Sequence, residues 1–209
     1  MPGISKPALE RLPLYLSYLK NIQSDGAPYI SAASIAGALG LKDVLVRKDL
    51  ACVSASGKPK KGYVRSELIG QIERFLGYND TRDAVIAGAG KLGKALLEYD
   101  GFKEYGLNII AAFDCDPRVI GTADNGKAVF PISRLKEICL RMNVLIGVIT
   151  VPRACAQQVC SLMVESGILA VWNFTSAHLI APSGVLIQNE NMASSLAALS
   201  RRLSGESEA

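Results

Sequence analysis

The run from Asp83 to Gly93 constrains this chain more than any other. The short apolar segment Asp83-Ala84-Val85-Ile86-Ala87 passes straight into Gly88-Ala89-Gly90-Lys91-Leu92-Gly93, and the helix-favouring Ala95, Leu96 and Leu97 lead on to Tyr99. A strand, a glycine turn spaced G-x-G-x-x-G and a helix in that order form a phosphate-binding unit. The first glycine permits the tight turn, the second lets the backbone approach a pyrophosphate, and the third lets helix and strand pack closely. The helix N-terminus then faces the phosphates. Residues Gly88, Ala89, Gly90, Lys91, Leu92 and Gly93 are therefore candidate cofactor contacts.

A second apolar run, Leu107 to Phe113, ends at Asp114, about twenty residues past the last glycine. An acid there can take both hydroxyls of an adenosine ribose and repels a 2′-phosphate, which argues for NAD(H) over its phosphorylated counterpart. The alternation of strands and helices then continues. Ser133 starts a helix through Leu140, Val144 to Ile149 is a strand, Arg153 to Ser166 is a helix stopped by Gly167, and Ile168 to Trp172 is a strand. A last strand near Val185 to Gln188 precedes a helix from about Met192 to Leu203. Thr150-Val151-Pro152 and Asn173-Phe174-Thr175 fall just past strand ends, where a doubly wound sheet holds its ligand, and are the expected lining for a nicotinamide. The one histidine, His178, has no positioned carboxylate beside it in the sequence and reads as structural.

The first eighty residues read differently. Leu9, Leu12, Leu16, Leu19 and Ile22 recur at helical spacing behind Ser5 as a cap, with Pro13 expected to kink the helix. Ser31 caps a second helix that ends at Gly40, and Asp43 is placed to cap a third running to about Val53. Val46, Leu50 and Val53 share one face of that helix, leaving Arg47, Lys48 and Ala51 exposed. Residues 54–64 read as a hairpin carrying Lys58, Lys60 and Lys61 at its tip, and Ser66 caps a fourth helix closed by Gly77. Helix-turn-helix plus wing predicts nucleic-acid binding, with Arg47, Lys48 and the wing lysines as candidate DNA contacts. Charge agrees: residues 1–80 hold 11 Lys and Arg against 7 Asp and Glu, whereas residues 81–209 hold 12 of each. The whole basic excess lies in the first unit.

No apolar run is long enough to span a membrane, and Lys6, Glu10 and Arg11 stand where a signal peptide would be apolar, so the chain reads as cytoplasmic. Five scattered cysteines form neither a disulfide framework nor a metal-ligand spacing, and no metal site is expected.

A winged helix joined to a small NAD-type domain with a trailing helix resembles the redox-sensing transcriptional repressors of the Rex family. The resemblance is carried by Ile4-Ser5-Lys6, Arg11-Leu12-Pro13-Leu14-Tyr15, Val46-Arg47-Lys48-Asp49-Leu50, Gly62-Tyr63, Gly88 to Gly93, Tyr99-Asp100-Gly101-Phe102, Ala112-Phe113-Asp114, Thr150-Val151-Pro152 and Asn173-Phe174. It implies a homodimer that exchanges C-terminal helices, binds a palindromic operator, and releases DNA when NADH rather than NAD+ is bound. It also implies a switch in which Tyr99 meets an Arg and an Asp across domains. Those two positions here are Ser17 and Asn191, so the ionic latch is absent and a weakened or retuned response is expected. The wing and the segment after the recognition helix also depart from the family pattern, at Pro59-Lys60-Lys61-Gly62 and Ala51-Cys52-Val53-Ser54.

The sequence thus predicts an α/β chain: a winged helix-turn-helix DNA-binding domain over 1–80, a Rossmann NAD(H)-binding domain with a doubly wound parallel sheet over 81–190, a swapped dimerisation helix over 191–204, and a disordered tail over 205–209. The reading is a repressor and not an enzyme. Two alternatives share the glycine turn: an NAD-dependent oxidoreductase, for which His178, Cys155 and Tyr99 are the only candidate groups, and a CoA- or nucleotide-binding module without redox sense.

Overall fold

The computed structural model describes residues 4–22, 28–58, 61–190 and 192–203. Lys60, Asn191 and the segment 205–209 lie outside the described residues. The chain divides into two compact units, residues 1–80 and 81–209.

In the first unit, helix α1 (Lys6–Asn21) starts at Ser5, whose hydroxyl accepts from the Ala8 amide, and runs on through Pro13. Helix α2 (Ala32–Leu39) is capped by Ser31 and stopped by Gly40 in the left-handed region, and α3 (Asp43–Val53) follows. Asp43 does not cap α3 as expected. It sits inside the first turn and its carboxylate holds Arg47 at 2.6 Å, one turn on.

The expected hairpin is also corrected. Strand β2 (Tyr63–Val64) pairs with β1 (Tyr29–Ile30), a strand contributed by the residues ahead of α2, whereas the wing closes on itself through a tight Lys58–Gly62 bridge. Gly62 is required there, because φ is +81° and a Cβ would strike the Ile30 carbonyl oxygen. In helix α4 (Arg65–Leu76) Ser66 is no cap. The residue ahead of it, Arg65, instead donates to the Leu19 and Ile22 carbonyls at 2.8 and 3.0 Å, closing the C-terminus of α1. Leu12, Leu16, Leu19, Ile35, Val46, Leu50, Leu68 and Ile72 meet in one core.

The second unit is a seven-stranded sheet. Its strands are β3 (Arg82–Ala87), β4 (Leu107–Asp114), β5 (Gly121–Thr122), β6 (Ala128–Pro131), β7 (Ile146–Ile149), β8 (Ala170–Asn173) and β9 (Leu186–Asn189), in the order β5-β6-β4-β3-β7-β8-β9. All pairs are parallel except β5 with β6 at the edge. From β6 to β9 this is the doubly wound order of dinucleotide-binding folds. Helices α5 (Lys91–Glu98), α6 (Leu135–Met142) and α7 (Arg153–Glu165) cover it, and α8 (Met192–Leu203) ends the described chain.

The alternation within β3 explains the two layers. Ala84 and Ile86 join Leu97 of α5 in one core, while Val85 and Ala87 join Leu135, Ile138, Ala156 and Cys160 of α6 and α7 in the other. Ser133 belongs to a short 3-10 turn (Ile132–Arg134) that precedes α6, and the helix ends at Asn143 in the left-handed region.

Candidate nucleotide site and nucleic-acid face

Strand order reverses between β3 and β7, and the crevice at such a point is where ligands lie. The glycine turn sits there and is tied to both neighbours. The Gly88 amide donates to the Phe113 carbonyl at 2.8 Å, and the Thr150 hydroxyl donates to the Gly88 carbonyl at 2.7 Å.

The three glycines do different work. At Gly88 φ is +103°, and a Cβ would lie 2.8 Å from the Thr150 carbonyl carbon. A Cβ on Gly93 would run into the Gly88 carbonyl oxygen, so this residue sets how closely α5 meets the turn. Gly90 has ordinary extended backbone, with φ at −69°, and nothing within 4 Å of where a Cβ would stand. It lines a cavity of about 710 Å³. The space a side chain would fill is on the ligand's side, the cradle a pyrophosphate requires.

Asp114 closes the near wall. Its carboxylate accepts the Ala89 amide at 2.6 Å and the Asp116 amide at 2.9 Å. A carboxylate offers about four acceptor positions, so two remain for ribose hydroxyls, and the acid also holds the glycine turn in shape. Asp116, on the same wall, is engaged by Arg118 at 2.7 Å; that hydrogen bond holds its carboxyl down to about 2. Thr150, Val151 and Pro152 form the far wall. Lys91 and Leu92 are exposed in the first turn of α5 and do not line the cavity.

The structure separates the other predicted lining pair from this cavity. Asn173 is fully buried: its amide nitrogen donates to the Ala177 carbonyl and to Asn189, and its oxygen accepts from the Thr175 amide and hydroxyl. It shapes the turn at 173–177 and presents no free atom to a ring. Phe174 lines a second cavity of about 390 Å³, with Thr175, His178 and Glu190. Glu190 there accepts from the Trp172 indole at 2.8 Å.

Phe174 also ends a row of aromatic rings that runs through Trp172 and Phe102 to the exposed Tyr99, with centroids 4.7, 5.6 and 4.9 Å apart. The Tyr99 ring lies across Gly101, where a Cβ would collide with it. Among the described residues no cluster of His, Cys, Asp and Glu could hold a metal ion, and no helix is long and apolar enough to cross a membrane.

On the first unit, Arg47 and Lys48 are exposed on α3 while Val46 and Leu50 are buried. Lys58 and Lys61 are exposed at the wing, Lys61 standing 5.9 Å over the Tyr29 ring. The sequence reading missed the group that fixes α3. Asp49 is buried on its inner face and accepts from Arg11 Nε at 2.8 Å, Arg11 Nη2 at 3.0 Å and the Tyr15 hydroxyl at 2.7 Å. The signal was an acid in line with Val46 and Leu50. Ser17, on α1, is exposed and accepts from the Asn21 amide at 3.4 Å.

Comparison with known proteins agrees with both halves. A family model described as a CoA binding domain matches residues 79–177, and one described as the N-terminus of a putative DNA-binding protein matches residues 3–51. The redox-sensing transcriptional repressor Rex of Porphyromonas gingivalis is 40% identical over 96% of this chain and 92% of its own. That of Treponema denticola is 43% identical over 92% of each. Among solved structures, RSP in complex with β-NAD+ and operator DNA superposes with a TM-score of 0.91 at 30% identity, covering 99% of this chain and 95% of that one. RSP with β-NADH gives 0.88 at 29% identity, covering 99% and 97%.

Proposed function

The chain belongs to the Rex family of redox-sensing transcriptional repressors, and on that footing we propose that it represses by binding operator DNA through α3 and the wing and releases it when NADH fills the cavity beside Gly90. The observation that carries the cofactor half is the open cradle at Gly90 next to Asp114, at the reversal of strand order. The cofactor supplies the redox signal as the charge of its ring, cationic when oxidised and neutral when reduced. The protein supplies the difference in affinity. Val151 and Pro152 give the far wall an apolar surface that costs a cation its hydration and costs a neutral ring little.

Arg47, Lys48, Lys58 and Lys61 supply the phosphate-neutralising face, joined by Lys60 on the same wing, and the partner is a palindromic operator read by a homodimer. Tyr99 is the moving part of the switch, with positions 17 and 191 as its counterparts. DNA as the partner places the work in the cytoplasm. We read a regulator and not an oxidoreductase, because the acids on the cavity wall, Asp114 and Asp116, are held by backbone amides and by Arg118 and not poised at a ring.

The match to a CoA binding domain favours one other ligand class. Asp114 separates the two: it suits a ribose with both hydroxyls free and repels the 3′-phosphate of CoA as it does a 2′-phosphate. The test is to select genomic fragments on the protein with NAD+ present and challenge the complexes with NADH, NAD+ or CoA. Greater release by NADH than by NAD+ or CoA is expected; equal retention in NADH and NAD+, or equal release by CoA, overturns the reading.

A further inference from the structure

The five cysteines fall into two groups. Cys139 and Cys160 are buried between the sheet and its helices, and burial pushes the Cys139 thiol up to about 11. Cys52, Cys115 and Cys155 are exposed. Cys52 lies on α3, but the other two share one place: both line the 710 Å³ cavity that holds Gly90 and Asp114. Cys115 directly follows Asp114 at the end of β4, and Cys155 stands in the first turn of α7, directly after the Thr150–Pro152 wall. One thiol therefore flanks the ribose side of the cavity and the other its far wall.

The two are not paired with each other: both thiols are free, and Cys115 follows β4 while Cys155 opens α7 beyond β7, with β3 between the two strands. Each thiol thus faces the cavity as a separate nucleophile. The cavity is of the size that takes small molecules, roughly 300–1,000 Å³.

Resting on the reading of this cavity as the dinucleotide site, we propose that Cys115 and Cys155 form a covalent lock on it, capped by low-molecular-weight disulfides of the glutathione class. A cavity thiol gives up its proton and attacks one sulfur of the reagent. The reagent's S–S bond breaks, a mixed disulfide forms at the cysteine, and the other half leaves as a thiolate that takes the proton. The cap occupies the space of the dinucleotide, so an oxidising burst makes the protein blind to NADH whatever the NADH/NAD+ ratio, and a thiol reductant restores the response. The converse also holds: a bound dinucleotide shields both thiols.

The test uses the full chain with Cys52→Ser, which removes the thiol on the recognition helix. NADH is first titrated against the untreated protein, with energy transfer from the sole tryptophan, Trp172, as the signal. The protein is then incubated with glutathione disulfide with and without NADH, its caps are counted and mapped by mass spectrometry, and the titration is repeated. Expected are caps at Cys115 or Cys155, capping slowed by about tenfold or more in saturating NADH, and affinity for NADH reduced by about tenfold or more in the capped protein and regained with dithiothreitol. In the Cys115→Ser/Cys155→Ser protein the affinity is the same before and after the reagent.

Unchanged NADH affinity after capping, capping that NADH does not slow, or an equal loss in the double variant overturns the lock. Failure of the untreated protein to bind NADH overturns the cofactor reading itself, and is seen before any reagent is added.

Discussion

A carboxylate as buried as that of Asp49 is tolerated because both of its oxygens are taken, by the fork of Arg11 and by the Tyr15 hydroxyl. The clamp joins α3 to α1 and so sets the angle at which Arg47 and Lys48 face outward. Removing one partner strands a buried charge, which costs about 3–5 kcal/mol. Arg11→Met is therefore expected to lower the urea midpoint of the first unit sharply, while Arg11→Met/Asp49→Leu, which removes both charges, recovers most of the loss. A double variant as unstable as the single one overturns the account.

Tyr15 adds a pH signature to the same clamp. Burial, and then its hydrogen bond to Asp49, push its hydroxyl up to about 12, against about 10 when unfolded. The neutral form is favoured in the fold, so this stabilisation is complete below pH 10 and is lost as pH rises toward 12. Unfolding profiles of the natural protein and Tyr15→Phe are expected to converge across that window and to run parallel below it. The glycine turn allows an equally sharp contrast at single residues. Gly90→Val adds its side chain to open cavity and is expected to leave the melting temperature within a few degrees while abolishing NADH binding. Gly93→Ala forces its Cβ against the Gly88 carbonyl and is expected to lower the melting temperature first.

At the scale of elements, α8 is the one the single chain leaves unfinished. Leu196, Leu199 and Leu203 recur on one face, all are exposed, and none belongs to the cores of the second unit. The proposed homodimer covers them. Leu196→Glu/Leu199→Glu is thus expected to give a folded monomer in sedimentation and to lose operator affinity, since two half-sites are no longer read together; a variant that stays dimeric sinks this role for α8. Elements whose signals are local were legible in the sequence: α2 between Ser31 and Gly40, the β3 turn and α5, and α7 stopped at Gly167. Those fixed by distant pairing were not. Strand β1 is two residues long and exists because Val64 and Tyr63 come back to it, and β6 is a four-residue strand ending in Pro131 whose place is set by its register against Ala111 to Asp114. The roles of Asp43, Ser66 and Asn173 misled for another reason. Each residue type suits a cap or a ligand contact, but other arrangements won: Asp43 took Arg47 one turn on in its own helix, Ser66 stands inside α4 behind Val64 as the residue at its start, and Asn173 spent its amide on Asn189 and its own turn. The cavity behind Asp114 was legible in its glycines and acid, but not in its thiols, because Cys115 and Cys155 are brought to one cavity by the order of the strands and not by nearness along the chain.

At the scale of the whole molecule, the cofactor and DNA faces lie in different units, so repression can follow the cofactor only through a coupling free energy between them. Such couplings run at about 1–3 kcal/mol, or roughly 5- to 150-fold in affinity. The family pattern implies that an Arg and an Asp meeting Tyr99 contribute to that term, and this chain has Ser17 and Asn191 in their places. The two losses match, since neither leaves a lone charge, and they are expected to cost coupling and not folding. Restoring the pair tests this directly. The ratio of operator Kd in saturating NADH to that in saturating NAD+ is expected to be a few-fold for the natural chain and to rise by about tenfold, or 1.4 kcal/mol, in Ser17→Arg/Asn191→Asp. Each single variant adds a charge without its partner and is expected to gain less than half of that increase on a logarithmic scale, so the excess in the double-mutant cycle reports the latch itself. A double variant whose ratio equals that of the natural chain shows that the coupling runs elsewhere, and the aromatic row from Tyr99 to Phe174 is then the next element to break.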